Sequence, residues 1–156
     1  MIKVDSIKEF KIGNKSLSEV KNIDLKEIGF YQISDSNIFS YKSDEYKLLN
    51  YRIKPNLTFK IEVKPENIHI QLKSISINNL PNIFKLFNLK INLYILPEKD
   101  YCIAKRSISL SYESKNKILN YFSEKVSYKL IHNLIEKISL RFDKKLVKKV
   151  LKNFAN

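Results

Sequence analysis

Leu57-Thr58-Phe59-Lys60-Ile61-Glu62-Val63-Lys64 alternates without a break. Leu57, Phe59, Ile61 and Val63 share one face of an extended chain, and Thr58, Lys60, Glu62 and Lys64 the other. A period of two with one apolar and one polar face predicts a half-buried strand in an antiparallel sheet. Downstream, Pro65-Glu66-Asn67 turns the chain into Ile68–Ile77. There Ile68, Ile70 and Leu72 hold one parity and Ile75 and Ile77 the other, which predicts a bulge near Ser74. Upstream, Phe30–Ile33, Ile38–Lys42 and Tyr46–Lys54 read as strands, separated by Ser34-Asp35-Ser36-Asn37 and Ser43-Asp44 and closed by Pro55-Asn56.

The same pattern continues after the loop Asn78–Asn82. Phe87, Leu89, Ile91, Leu93 and Ile95 alternate with Asn88, Lys90, Asn92 and Tyr94. Pro97-Glu98-Lys99-Asp100 reads as a hairpin turn into Tyr101–Tyr112. A parity change around Lys105–Ser107 predicts a second bulge there, and two bulges in long strands curl a sheet strongly. At the start of the chain, Ile2–Ile12 reads as a strand. Ser16-Leu17-Ser18-Glu19 has the capping-box pattern, and Asp24-Leu25-Lys26-Glu27 is a second helix start stopped by Gly29. Two short helices are therefore expected after the first strand.

The last thirty or so residues read as a helix, capped by Ser123 and running to Phe154, about 48 Å long at 1.5 Å per residue. Leu130, Ile131, Leu134, Ile135 and Ile138 form one apolar stripe. Phe142, Leu146, Val147, Val150, Leu151 and Phe154 form another, rotated by more than a quarter turn. Arg141, Lys144, Lys145, Lys148, Lys149 and Lys152 are expected opposite that second stripe, as a basic surface. Either the helix bends near Ser139 or its halves pack on different partners. Residues 1–156 thus read as one α+β domain: a curled antiparallel sheet of about seven strands wrapped on a long C-terminal helix of about 123–154. That order of elements is the helix-grip plan of START-like domains.

Composition narrows the function classes. One cysteine, Cys102, excludes a disulfide scaffold and a Cys-ligated zinc site. Two glycines, Gly13 and Gly29, exclude glycine-rich phosphate loops. The net charge is +13, but 26 of the 29 basic residues are lysine. Isoleucine, lysine and asparagine together number 64, and all have A/T-rich codons. A strongly A/T-biased genome could produce most of the lysine, so two explanations of the charge stay open: genome bias and a polyanionic partner. Met1–Ile12 carries Lys3, Asp5, Lys8 and Glu9, so it is no signal segment, and no apolar run approaches the ~20 residues of a membrane span. The expectation is a soluble product that works where it is made.

Three stretches resemble an uncharacterised START-like family of cyanobacteria and plastids. They are Leu48-Leu49-Asn50-Tyr51-Arg52-Ile53-Lys54-Pro55, Ile68–Ile77, and Leu130–Ile138 running on to Arg141-Phe142 and Leu146. The resemblance covers about 110 residues from Tyr46 onward. It implies the helix-grip fold and a photosynthetic setting, in the plastid stroma or the cyanobacterial cytoplasm. It implies no reaction. A plastid genome fits the A/T bias.

No catalytic constellation is visible. His69 and His132 have no partner at metal spacing, so neither a metal nor a cofactor is expected. Both histidines read as surface residues, and Cys102 as a core thiol. The carboxylates fall at turns and helix starts, where capping suffices as a role. Tyr41, Tyr46, Tyr51, Tyr94, Tyr101 and Tyr112 could stack nucleic-acid bases, but tyrosines on half-buried strands are ordinary β-formers. The reading expects a non-enzymatic module that binds an apolar small molecule of the lipid or pigment class. Phe59, Ile61, Leu89, Ile91, Leu93, Leu134 and Ile138 would line its cavity, with Tyr94 or Arg52 as polar anchor. The basic helix face would meet an anionic membrane surface. The alternative is an assembly factor with a filled core, docking a protein or RNA partner through the same basic face.

Overall fold

A computed structural model describes residues 2–12, 25–33, 37–48, 51–77, 87–112 and 124–149. The strands are β1 (Ile2–Ile12), β2 (Phe30–Gln32), β3 (Ile38–Lys42), β4 (Tyr46–Leu48), β5 (Tyr51–Ile53), β6 (Asn56–Val63), β7 (Ile68–Ser76), β8 (Phe87–Pro97) and β9 (Cys102–Tyr112). The helices are α1 (Leu25–Ile28) and α2 (Glu124–Phe142), the latter continuing into a π turn over Asp143–Val147. Seven strands form one antiparallel sheet in the order β1-β9-β8-β7-β6-β3-β2. It is curled, and α2 packs over β1 and β9. The expected helix at Ser16–Glu19, the caps at Asp24 and Ser123 and the residues from Val150 onward lie outside the described residues.

The first and last strands close the main ladder, with Ile2 opposite Tyr112 and Ile12 opposite Cys102. α1 is one turn. Gly29 ends it with φ +114°, and its N–H donates to the carbonyls of Leu25 and Lys26. A Cβ at Gly29 would meet Tyr41 Cε2 at 2.9 Å, so this position needs glycine both for its left-handed backbone and for space. The close approach seats Phe30 against Tyr41 and Phe59, with ring centroids 5.4 and 5.5 Å away.

Tyr46–Lys54 departs from the expected single strand. It is a hairpin of its own, with Tyr46 opposite Ile53 and Leu48 opposite Tyr51. Leu48-Leu49 breaks the alternation, and Asn50 is a residue type that favours tight turns.

The bulge near Ser74 is present. Thr58 pairs with Ser74 but Phe59 pairs with Leu72, leaving Lys73 as the extra residue. That one residue returns Ile75 and Ile77 to the face of Ile68, Ile70 and Leu72. On its other side β7 pairs with β8 only from Ile68 to Gln71.

The second bulge is absent. β9 keeps one register against both β1 and β8 along its whole length. Cys102, Ala104, Arg106, Ile108, Leu110 and Tyr112 all face inward and are buried. The apparent parity change arose because an arginine occupies an inward position. Arg106 is 2% exposed. Its Nε and Nη2 donate to the two Asp143 carboxylate oxygens, both at 2.8 Å. Its Nη1 donates to the Ser6 carbonyl and hydroxyl, also at 2.8 Å. One guanidinium therefore ties β9, β1 and the helix end.

Asp143 also opens the π turn, where the Lys148 N–H donates to the Asp143 carbonyl five residues back. The π turn resolves the two rotated stripes. At 100° per residue Val147 would stand about 140° away from Leu134. The wider turn brings Leu146 and Val147 both into the core, beside buried Phe142. A buried ion pair broken on one side leaves an uncompensated charge, which costs about 3–5 kcal/mol. Arg106→Met should lower unfolding free energy by about that much in urea titration. Arg106→Met with Asp143→Leu should recover most of the loss. A single-variant loss under about 1 kcal/mol would contradict this role for the pair.

Candidate functional site

The ladder between β7 and β8 ends at Gln71, and residues of the sheet and of the helix line a common space. Between them lies a cavity of about 420 Å³. Its sheet wall is Leu57 from β6, Ile75 from β7, Phe87, Leu89 and Ile91 from β8, and Leu110 from β9. Ile53, Pro55 and Ile77 close one side. Leu134, Ile138, Phe142 and Leu146 form the helical wall. Ile75 reaches the cavity only because Lys73 is inserted before it. The volume lies within the usual range of small-molecule pockets, roughly 300–1,000 Å³, and the walls are as apolar as such pockets usually are.

Four polar side chains line the cavity: Tyr41, Ser43, Arg141 and Lys145. They come from two neighbouring places, the end of β3 with the residues just after it, and the last turns of the helix. The Ser43 N–H donates to the Pro55 carbonyl at 3.2 Å, and the Ser43 hydroxyl donates to the Asp44 carbonyl at 3.1 Å. Lys145 Nζ stands 3.7 Å from the Asp44 carboxylate. Burial, and after it the Asp44 carboxylate, holds the Tyr41 phenol above its usual range, while the Arg141 charge pulls it down. Tyr41 is therefore a neutral hydroxyl at pH 7, close enough to Arg141 to feel its charge.

The expected lining residues separate into two groups. Leu89, Ile91, Leu134 and Ile138 line the cavity. Phe59, Ile61 and Leu93 do not; they are buried in the closed core, where Phe59 meets the edges of Phe30 and Tyr41.

The expected polar anchors also lie elsewhere. Arg52 is largely exposed and 4.0 Å from Glu45. Tyr94 is stacked on His69, with centroids 4.2 Å apart and planes at 7°, and His69 Nε2 is 2.8 Å from Asn92 Oδ1. His69 is thus half-buried in this stack, and His132 is exposed.

The basic surface divides as well. Lys144, Lys148 and Lys149 are exposed, Arg141 and Lys145 turn to the cavity, and Lys152 lies outside the described residues. Their spacing carries the signal for this. Arg141 follows Leu134 by seven residues and Lys145 follows Ile138 by seven, which returns each to the face of the first stripe.

Among the described residues no cluster of His, Cys, Asp and Glu could hold a metal ion, and no helix is long and apolar enough to cross a membrane. Cys102 is buried. Of the candidate tyrosines whose side chains are described, Tyr41 and Tyr112 are buried, Tyr94 is stacked on His69, and Tyr101 sits under the Lys11 ammonium at 4.5 Å.

No protein-family model matches the chain, and no curated protein matches it. Solved structures do. The Zhui aromatase/cyclase from Streptomyces sp. R1128 superposes with a TM-score of 0.61 at 4% identity, over 98% of this chain and 94% of that one. A conserved protein from Geobacillus kaustophilus gives 0.53 at 13% identity, over 99% and 95%. The di-domain ARO/CYC StfQ from the steffimycin biosynthetic pathway gives 0.51 at 10% identity, over 97% of this chain and 50% of that one. At such identities the likeness shows the fold alone, which is the START-like helix-grip. That fold carries enzymes, by the names of two of these three, so the fold does not decide between binding and catalysis.

Proposed function

We propose that this chain is a non-catalytic module that holds an apolar small molecule between sheet and helix and presents it near an anionic membrane surface. The observation that carries the reading is the apolar-walled cavity of about 420 Å³. Burial of apolar ligand surface there contributes roughly 25 cal/mol per Å². A cavity of that size also counts against an assembly factor with a filled core. The proposal contains no catalytic step: of the described hydroxyls around the cavity, Tyr41 is a neutral phenol and Ser43 donates to a carbonyl. The exposed Lys144, Lys148 and Lys149 supply the attraction to anionic lipid. Membership of a cyanobacterial and plastid family, and a place in the plastid stroma or cyanobacterial cytoplasm, belong to the same proposal. The A/T-biased composition and the three resembling stretches support them.

Two experiments test the two parts. N-phenyl-1-naphthylamine, a neutral apolar dye, should bind with a fluorescence rise. Ile138→Trp, which fills the cavity, should weaken that binding by at least about tenfold with the melting temperature held within a few degrees. Dye binding that ignores this variant would contradict the cavity. Lys144→Glu, Lys148→Glu and Lys149→Glu together should abolish sedimentation with phosphatidylglycerol vesicles at low salt. Unchanged sedimentation would remove the membrane part.

A further inference from the structure

The cavity is not apolar throughout. Its four polar lining residues gather at one end, and two of them, Arg141 and Lys145, are cationic. No carboxylate lines it among the described residues. Two nearby acids among the described residues differ. Asp143 is committed to Arg106 through two 2.8 Å hydrogen bonds. Asp44 reaches Lys145 at 3.7 Å, but its side chain is 79% exposed and that of Lys145 is 37% exposed. An ion pair so open to water is weak, and a better-placed anion displaces it readily.

The Arg141 Nε is itself buried. A planar guanidinium presents paired donors that fit both oxygens of a carboxylate. Tyr41 adds a neutral hydroxyl beside Arg141, and Ser43 a second hydroxyl beside Lys145's partner Asp44. Away from this end, every described lining residue is apolar.

We infer that the cavity takes a ligand with an apolar body and one anionic head, of the long-chain carboxylate class, its head held between Arg141 and Lys145 with Tyr41 as a neutral donor. This rests on the carrier reading above and names the ligand chemistry of the same site. The volume suits a body with one chain or one ring system.

Dodecanoate and dodecanol share one chain and differ in the charge of the head. Their displacement of N-phenyl-1-naphthylamine at pH 7.5, below micelle-forming concentration, separates the two readings. Dodecanoate should bind about tenfold or more tightly than dodecanol, as expected for hydrogen bonds to a charged group. In Arg141→Gln with Lys145→Gln the ratio should fall to about one. Lys145→Gln alone should reduce the ratio partway, and it serves if the double variant does not fold. Equal affinities in the native protein would overturn the anionic head and leave the apolar cavity standing. A carboxylate preference that survives both variants would overturn the assignment to these residues. Binding of neither probe would overturn the cavity reading and this inference together.

Discussion

The Arg106 guanidinium is the constraint on which the arrangement of layers depends. It is buried on the inner face of β9, where every neighbour in its row is apolar or small. A charge in that position is costly unless paired and fully hydrogen-bonded. Asp143 takes two of its donors, and the Ser6 backbone and hydroxyl take another. Each partner belongs to a different element, so satisfying one side chain fixes the helix end against the first and last strands. Asp143 meets this demand at the mouth of the π turn, which then turns Leu146 and Val147 into the core. The helix register, and with it the helical wall of the cavity, follows from where that carboxylate must sit.

The sheet wall has a separate origin in one inserted residue. Lys73 shifts the register of β7 against β6, and β7 pairs with β8 only as far as Gln71. A sheet that stayed paired would have presented a continuous floor to the helix. The parting instead exposes Phe87, Leu89 and Ile91 on one side and Ile75 on the other. The cavity is thus a consequence of strand geometry, while its polar end is a consequence of helix spacing.

The sequence patterns that reach the fold are local ones. The alternation of Leu57–Val63, the parity switch before Ile75 and the stop at Gly29 each occupy a few residues and have one physical reading. Arg106 misled for the opposite reason: its inward position is compensated by Asp143, 37 residues away, and no local pattern announces that pairing. The same distance problem misplaced Phe59, Ile61 and Leu93. Their apolar parity locates a buried face, but whether that face meets a neighbour or a gap depends on pairing between strands. Arg141 and Lys145 were legible in principle, since seven-residue spacing from Leu134 and Ile138 places them on the inner stripe. Counting them only as charges opposite the second stripe hid that.

The proposed apolar binding site lies where β7 and β8 are unpaired, distinct from the closed core around it. Methyl-labelled NMR during titration with N-phenyl-1-naphthylamine tests it most directly. Binding there should shift the Ile75, Ile77, Leu89, Leu134 and Ile138 methyls and leave Ile61, Leu93 and Ile108 unmoved. Shifts confined to the latter set, or no shifts with the dye in excess, would contradict it.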